Sequence, residues 1–146
     1  MRPALSGRRD SPSYCSLGIG ETVYVCVHAN ERWNDSGIDV VWGQRYNFRV
    51  PRGERWIGWR RTCNADGYSS TGLMRSLESL RRVPEARWLE LIGAIGCSVK
   101  SAIRISQGLS NLLVPSSGHL YLFANDLPWT YWKNKGMLAV RITRTK

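Results

Sequence analysis

Residues 123–136 read FANDLPWTYWKNKG and separate two segments in which apolar and polar side chains alternate. The alternating apolar residues are Leu120 and Leu122 before this loop, and Leu138, Val140 and Ile142 after it. Alternation with a period of two is typical of strands with one buried face, so the pattern predicts a hairpin with a long loop at its tip. The loop is rich in oxygen-bearing side chains and aromatic rings, a composition that indicates a binding site.

Length and composition restrict the fold class further. The 146 residues suffice to bury one hydrophobic core without help from metals or disulfides. The chain contains 14 Gly, 6 Pro and 7 Trp, and its apolar runs are short. These features favour an all-β domain over a helical one. The formal net charge of +10 indicates an anionic partner or surface.

Alternating segments separated by turn residues recur along the chain. In residues 22–28, for example, Val23, Val25 and Val27 fall on one side of the predicted strand. This rhythm predicts a β-sandwich built from antiparallel strands. The other strands before the final hairpin are predicted at 38–42, 46–50, 55–61, 88–95, 101–106 and 109–114.

One short helix is predicted near residues 72–82. Leu73, Leu77 and Leu80 recur there at helical spacing, and Pro84 would end the helix. The arginines of this region allow two interpretations, an anion-binding patch or a solvated helix face. They are Arg75, Arg81 and Arg82.

The tryptophans fall into two groups. Trp129 follows a proline at the apex of the loop and is expected to be exposed, either as a ligand platform or packed on the loop. Others are expected to be buried or half-buried in the sheets, namely Trp33, Trp42, Trp56 and Trp88.

The two ends of the domain and its location are also predicted. Residues 1–19 contain prolines, serines and arginines and are interpreted as a flexible tail, which leaves 20–146 as a single domain. The tail has no apolar core of the length that a secretory signal needs. The most apolar stretch, residues 89–99, is too short to span a bilayer. A cytoplasmic location, or export by an unconventional route, follows as the expectation.

The cysteines show no metal-binding or redox spacing. They are Cys15, Cys26, Cys63 and Cys97, and they include no CxxC pair. Four cysteines allow three full disulfide pairings, and the sequence selects none of them. Free thiols in a reducing compartment are the simpler expectation.

The loop quoted above resembles a known sequence family. Residues 125–136 are similar to the calcium-and-sugar loop of the calcium-dependent, galactose-binding bacterial lectins, which reads approximately N-D-x-P-x-x-Y-x-N-N-x-G. Weaker similarity follows in the same order through residues 46–50, 53–59 and 91–96. The resemblance implies a jelly-roll-like β-sandwich of the galactose-binding-domain type, with its ligand at one end of the sheets.

The resemblance also implies roles for individual residues. Calcium takes six to eight hard oxygen ligands, and a loop that supplies several of them leaves positions for two sugar hydroxyls. By the resemblance, the protein ligands of the ion would be the Asp126 carboxylate, the Thr130 carbonyl, the Asn134 amide oxygen and the Trp59 carbonyl. Carbohydrate binding is therefore the predicted function, with Asp126, Trp129, Trp132, Lys133 and Asn134 as the binding residues.

Two positions depart from the family pattern. Lys133 stands where the family has an asparagine that ligates the metal, and an ammonium group has no acceptor to offer. A cation there would either repel calcium or replace it, pairing with Asp126. The sugar-contacting histidine and glutamine of the family fall at Val83 and Ala86, whose side chains cannot hydrogen-bond. An acidic or phosphorylated glycan therefore fits this basic chain better than neutral galactose.

Other function classes receive less support from the sequence. No nucleophile elbow, paired-histidine helix or phosphate-cradling glycine loop occurs, and the candidate carboxylates Asp66, Glu85 and Glu90 form no motif, so the chain is predicted not to be an enzyme. A sandwich that has lost its metal could instead serve protein interaction or assembly. Nucleic-acid binding also stays open, because the charge and interleaved aromatics suit it. A homo-oligomer is compatible with each of these functions.

Overall fold

The computed structural model describes residues 15–146. Most of the predicted tail, residues 1–14, lies outside the described residues. The part that is described packs on the domain, because Leu17 is buried and Cys15 forms a parallel bridge with Ile38. All four cysteines are described and are free thiols. No helix among residues 15–146 is long and apolar enough to cross a bilayer.

The described residues form an all-β sandwich, as the sequence predicts. The strands in chain order are β1 (Thr22–His28), β2 (Asn34–Val40), β3 (Arg45–Arg49), β4 (Trp56–Gly58), β5 (Arg61–Cys63), β6 (Leu91–Ile95), β7 (Ile103–Arg104), β8 (Gly108–Leu113), β9 (Gly118–Ala124) and β10 (Lys135–Arg144). Three 3₁₀ helices occupy Gly72–Leu80, Val99–Ser101 and Tyr131–Lys133.

Two antiparallel sheets face each other across one core. The larger sheet has the order β5-β4-β10-β3-β8, with β1 on the other side of β10, and the smaller has the order β2-β9-β6-β7. β10 is central because it pairs with β1 along one edge and with β4 and β3 along the other. Its inward residues Leu138, Val140 and Ile142 are fully buried, whereas Met137 and Arg141 on the other face are exposed. This alternation places one face of the strand in the core.

The prediction that the last two strands form a hairpin is wrong. β9 pairs with β2 and β6 in the smaller sheet, whereas β10 belongs to the larger one. Residues 125–134 therefore cross from one sheet to the other at the end of the sandwich. The alternating pattern identified both strands but carried no information on their partners, since strand pairing is set by contacts far apart in the sequence.

Two further expectations need correction. Trp42 follows the end of β2 and is 72% exposed, because the chain turns there before β3 begins. β2 itself begins at Asn34 and not at residue 38 as predicted, since the Asn34 side chain bonds the main chain of His28 and Leu122. Trp56 and Trp88 are buried and Trp33 is half-buried, as expected.

The predicted short helix exists, but as a 3₁₀ helix with its leucines exposed. It spans Gly72–Leu80, and none of its residues is buried. Leu73 is 89% exposed, Leu80 is 48% exposed and Leu77 is 37% exposed. Met74 packs against the core and holds the helix on the domain. A row of apolar side chains therefore faces outward beside the end of the sandwich.

Residues 81–87 cover the outer face of the smaller sheet. Val83 and Ala86 pack there against Ile92, Ala94 and Phe123, so that β6 is buried on both of its faces. Two of the arginines considered for an anion-binding patch, Arg81 and Arg82, are engaged within the protein, since Arg81 donates to the Pro84 carbonyl at 2.7 Å. Arg82 stacks over the Phe123 ring at 3.7 Å and donates to the Tyr131 hydroxyl at 2.8 Å. Its guanidinium therefore serves the packing of this face.

His119 on β9 bridges two carboxylates of the neighbouring strand β2. Nδ1 lies 2.9 Å from the Asp39 carboxylate, and Nε2 contacts Asp35. A register shift in β2 between these aspartates lets both reach the ring. Burial lowers the pKa of His119, but the hydrogen bonds with Asp35 and Asp39 outweigh burial and raise it overall.

We therefore expect stability to depend on pH at His119. A raised folded-state pKa contributes stability that is complete below about pH 6.5 and is lost as pH rises through that pKa. The melting temperature should fall by about 3 °C more in the wild type than in His119→Gln between pH 6 and 9, since half-exposed pairs contribute at most about 1 kcal/mol. Thermal unfolding followed by circular dichroism measures the difference, and identical pH profiles would contradict it.

Candidate functional site

Asn125 anchors the crossover loop and does not face a ligand. Its fully buried amide nitrogen donates to the carbonyls of Val83 at 2.9 Å, Ala86 at 3.2 Å and Arg87 at 3.0 Å. Its amide oxygen accepts from the Val83 N–H at 3.0 Å. The main-chain carbonyl of Asn125 accepts from Leu89 at 2.7 Å. One side chain therefore ties the loop to the segment that covers the smaller sheet.

Asp126 and Asn134 close the loop on itself. Oδ2 of Asp126 accepts from the Asn134 amide nitrogen at 2.9 Å, and Oδ1 accepts from the Leu127 N–H at 2.8 Å. The same Asn134 nitrogen donates to the carbonyl of Ala29 at 3.1 Å. Burial raises the pKa of Asp126, and these hydrogen bonds offset only part of that effect. The carboxylate thus holds the loop shape at the base of a cavity.

A cavity of about 300 Å³ opens beside this loop. One side of it is formed by five of the predicted site residues, four from the loop and Trp59 from the turn after β4. Its apolar wall comes from the 3₁₀ helix and from the segments on either side of it. The lining residues are Trp59, Tyr68, Leu73, Met74, Leu77, Trp88, Asp126, Leu127, Thr130, Lys133 and Asn134.

Lys133 lies between two tryptophan rings at the mouth of this cavity. Its ammonium nitrogen is 3.5 Å from the centroid of the Trp59 ring and 5.1 Å from that of Trp132. Within residues 15–146, Lys133 and Asp126 do not form an ion pair. The expectation that Lys133 pairs directly with Asp126 is therefore wrong. The charge of Lys133 still acts on Asp126 at longer range by lowering its pKa.

A second, open cleft of about 510 Å³ adjoins the first cavity. Trp59 and Lys133 line both spaces, and Trp132, Arg60 and Lys135 complete the cleft. The cleft therefore combines two aromatic faces with three cationic side chains. Such an arrangement can hold a planar or ring-shaped anion, because the rings pack against apolar faces while the cations attract charge.

The turn that presents Trp59 is strained. β4 and β5 are joined by Trp59 and Arg60 alone, and both have positive φ, 47° and 68°. Two-residue hairpins of this kind usually use Asn-Gly, since other residues are disfavoured in the left-handed region. The conformation leaves Trp59 60% exposed beside Lys133. Strain retained at an exposed aromatic residue is often associated with a functional site.

Trp129 and Trp132 point away from the cavity that holds Asp126. Trp129 is 59% exposed and lines a separate shallow cleft with Trp132, Trp33 and Arg32. Trp132, 75% exposed, borders both this cleft and the cationic one. The crossover loop thus separates the predicted residues into two groups, and only Trp132 remains next to Lys133.

The donor chemistry around Asp126 bears on the implied calcium ion. Within residues 15–146 no cluster of three or more His, Cys, Asp and Glu side chains could hold a metal. Asp126 brings the carboxylate of the implied ligand set, and both of its oxygens already accept protein hydrogen bonds. The Thr130 carbonyl already accepts from the Lys133 N–H at 3.1 Å, and the Lys133 ammonium lines the same cavity. Calcium sites gain affinity from several anionic oxygens, so this set fits the ion poorly.

Several cavity residues were missed by the sequence interpretation. Leu73, Met74 and Leu77 belong to the predicted helix, and Trp88 begins the strand predicted at 88–95. Tyr68 lies between the predicted elements. The apolar spacing in an otherwise polar helix was the available signal. In contrast, Val83 and Ala86 are buried on the outer sheet face and do not line the cavity.

Comparison with known proteins bears on the fold. No protein-family model matches the chain, and no curated protein matches it in sequence. Among solved structures, the chain is similar to one described as the EclA N-terminal domain, a PllA-like lectin, with a TM-score of 0.60 and 16% identity. The match covers 84% of this chain and 94% of that one. The likeness shows a lectin-like β-sandwich fold.

Proposed function

We propose that this protein is a carbohydrate-binding module that recognises an acidic sugar without calcium. The observation that carries the proposal is the position of Lys133, between the rings of Trp59 and Trp132, at the end of a lectin-like sandwich. Glycan binding at this loop is also what the resemblance to the galactose-binding lectins implies. The proposal differs from that family in replacing the metal by a fixed side-chain cation.

Binding would combine stacking with charge. The apolar face of a sugar ring packs against Trp59 or Trp132, as sugars commonly do on aromatic side chains. Lys133, Arg60 and Lys135 would donate charge-assisted hydrogen bonds to a carboxylate, sulfate or phosphate on the ring. The role of Asp126 and Asn134 would be to hold the loop that carries Lys133, since their side chains bond each other.

The test is a glycan array probed with and without a calcium chelator. We expect signals on acidic glycans that are unchanged by the chelator, because the Lys133 charge replaces the metal. Loss of signal with the chelator would contradict the metal-free mechanism. A blank array under both conditions would overturn the lectin proposal and favour an assembly module. Binding that is confined to nucleic acid, with affinity falling steeply with salt, would favour the third function class.

A further inference from the structure

We propose that the 300 Å³ cavity next to the cationic cleft holds an apolar group, an acyl chain or an aryl ring, carried by the same acidic sugar. This inference rests on the proposed function and extends it. The ligand class becomes an amphiphilic acidic glycoside, with its sugar in the cationic cleft beside Lys133 and its apolar substituent against the 3₁₀ helix Gly72–Leu80.

The side chains of Asp126, Thr130 and Asn134 in the cavity already bond within the protein. The two carboxylate oxygens of Asp126 accept from Leu127 and Asn134, and the Thr130 hydroxyl donates to the Leu127 carbonyl at 3.2 Å. A sugar hydroxyl that entered here would lose its water and compete with these bonds, which is unfavourable. The remaining wall offers side chains such as Tyr68 and Trp88 together with aliphatic groups. The cavity is therefore suited to an apolar occupant.

The size of the cavity supports the same occupant. An engineered apolar cavity of about 150 Å³ is known to bind benzene, so a space of about 300 Å³ accommodates one ring with a substituent or a medium-length acyl chain. Met74, whose side chain is flexible, lines the wall and can adapt to either shape.

An apolar occupant of the cavity would contact exposed leucines of the 3₁₀ helix. Leu73 and Leu77 line the cavity although they are 89% and 37% exposed. An apolar substituent would remove their surface from water, which is favourable in proportion to the apolar area that is buried. Leu80 lies on the same helix and is 48% exposed but does not line the cavity. It therefore provides a matched control.

The cavity and the cleft are adjacent, which allows one ligand to occupy both. Trp59 and Lys133 line both spaces. An anionic ring held at Lys133 would therefore place a substituent on its adjoining side at the cavity mouth. This adjacency favours one amphiphilic ligand over two separate ones.

Calorimetry with matched probes tests the inference. The probes are methyl galacturonide, octyl galacturonide, octyl galactoside and octanoate, each below its micelle concentration. Octyl galacturonide should bind about 50-fold tighter than methyl galacturonide, the gain from burying roughly three methylene groups at about 0.8 kcal/mol each. Leu77→Gln should reduce this preference about fivefold and leave methyl galacturonide binding unchanged, whereas Leu80→Gln should change neither.

The outcomes separate the inference from the proposed function. Equal affinity for the methyl and octyl galacturonides would overturn the apolar subsite and leave acidic-sugar binding in place. Octanoate that binds as tightly as octyl galacturonide, with no binding of methyl galacturonide, would overturn the carbohydrate function. A preference for the octyl chain that Leu77→Gln and Leu80→Gln reduce equally would also overturn the inference, since it would place the chain outside the cavity.

Discussion

Asn125→Asp is expected to destabilise the fold by about 4 kcal/mol. The substitution replaces a buried amide nitrogen, which donates to three carbonyls of residues 83–87, by an oxygen that can only accept when ionised. The net contribution of a buried hydrogen bond is about 1 kcal/mol, and Asn125 makes four through its side chain. Repulsion between the new carboxylate and the carbonyls adds to the loss. Residues 81–87 should then separate from the outer face of the smaller sheet.

Urea unfolding followed by tryptophan fluorescence measures this loss. A domain of this size should lose about 12 °C in melting temperature for the same change in free energy. Asn30→Asp makes the same chemical change at an exposed position and should alter stability by less than about 0.5 kcal/mol. If Asn125→Asp were as mild as Asn30→Asp, the side chain would not anchor the loop in solution.

The strands were largely predictable, because apolar and polar residues alternate in a strand that has one buried and one exposed face. β1 runs from Thr22 to His28 as predicted, since Val25 and Val27 face the core while Tyr24 and Cys26 face solvent. The all-β class followed from the same rhythm. The connection between β9 and β10 was not predictable, because a strand with one buried face can pair in either sheet of a sandwich. The choice depends on contacts between residues far apart in the chain.

The site was predictable only where the loop motif specified it. Asp126, Thr130, Lys133 and Asn134 do line one cavity, as the motif implies. Trp129 was assigned to the same place because it is close in sequence, but the single 3₁₀ turn at Tyr131–Lys133 directs neighbouring side chains to opposite sides of the loop. The apolar wall was missed because neither the alternation of apolar residues nor the loop motif links Leu73 or Leu77 to a loop that is distant in the sequence.

Lys133→Met is expected to weaken binding of acidic glycans by roughly 10- to 100-fold. The substitution keeps an unbranched apolar stem that can still lie against Trp59, but it removes the ammonium group. A hydrogen bond to a charged group contributes about 1.5 to 3 kcal/mol, which corresponds to that range in the dissociation constant. Calorimetry with methyl galacturonide and methyl galactoside measures the effect. The neutral sugar should bind the variant and the wild type alike.

The matched control for Lys133 is Lys100→Met, on the 3₁₀ helix Val99–Ser101 and outside the cationic cleft. It removes the same charge from the domain without touching the site. If both variants lost affinity equally, the attraction would come from the overall charge of +10 and not from a fixed cation. A loss confined to Lys133→Met, and still present at 0.5 M salt, would instead identify a contact, because screening at that ionic strength suppresses interactions beyond a few ångströms. The lysine between the two rings would then have taken over the part that a metal ion plays in the resembling lectins.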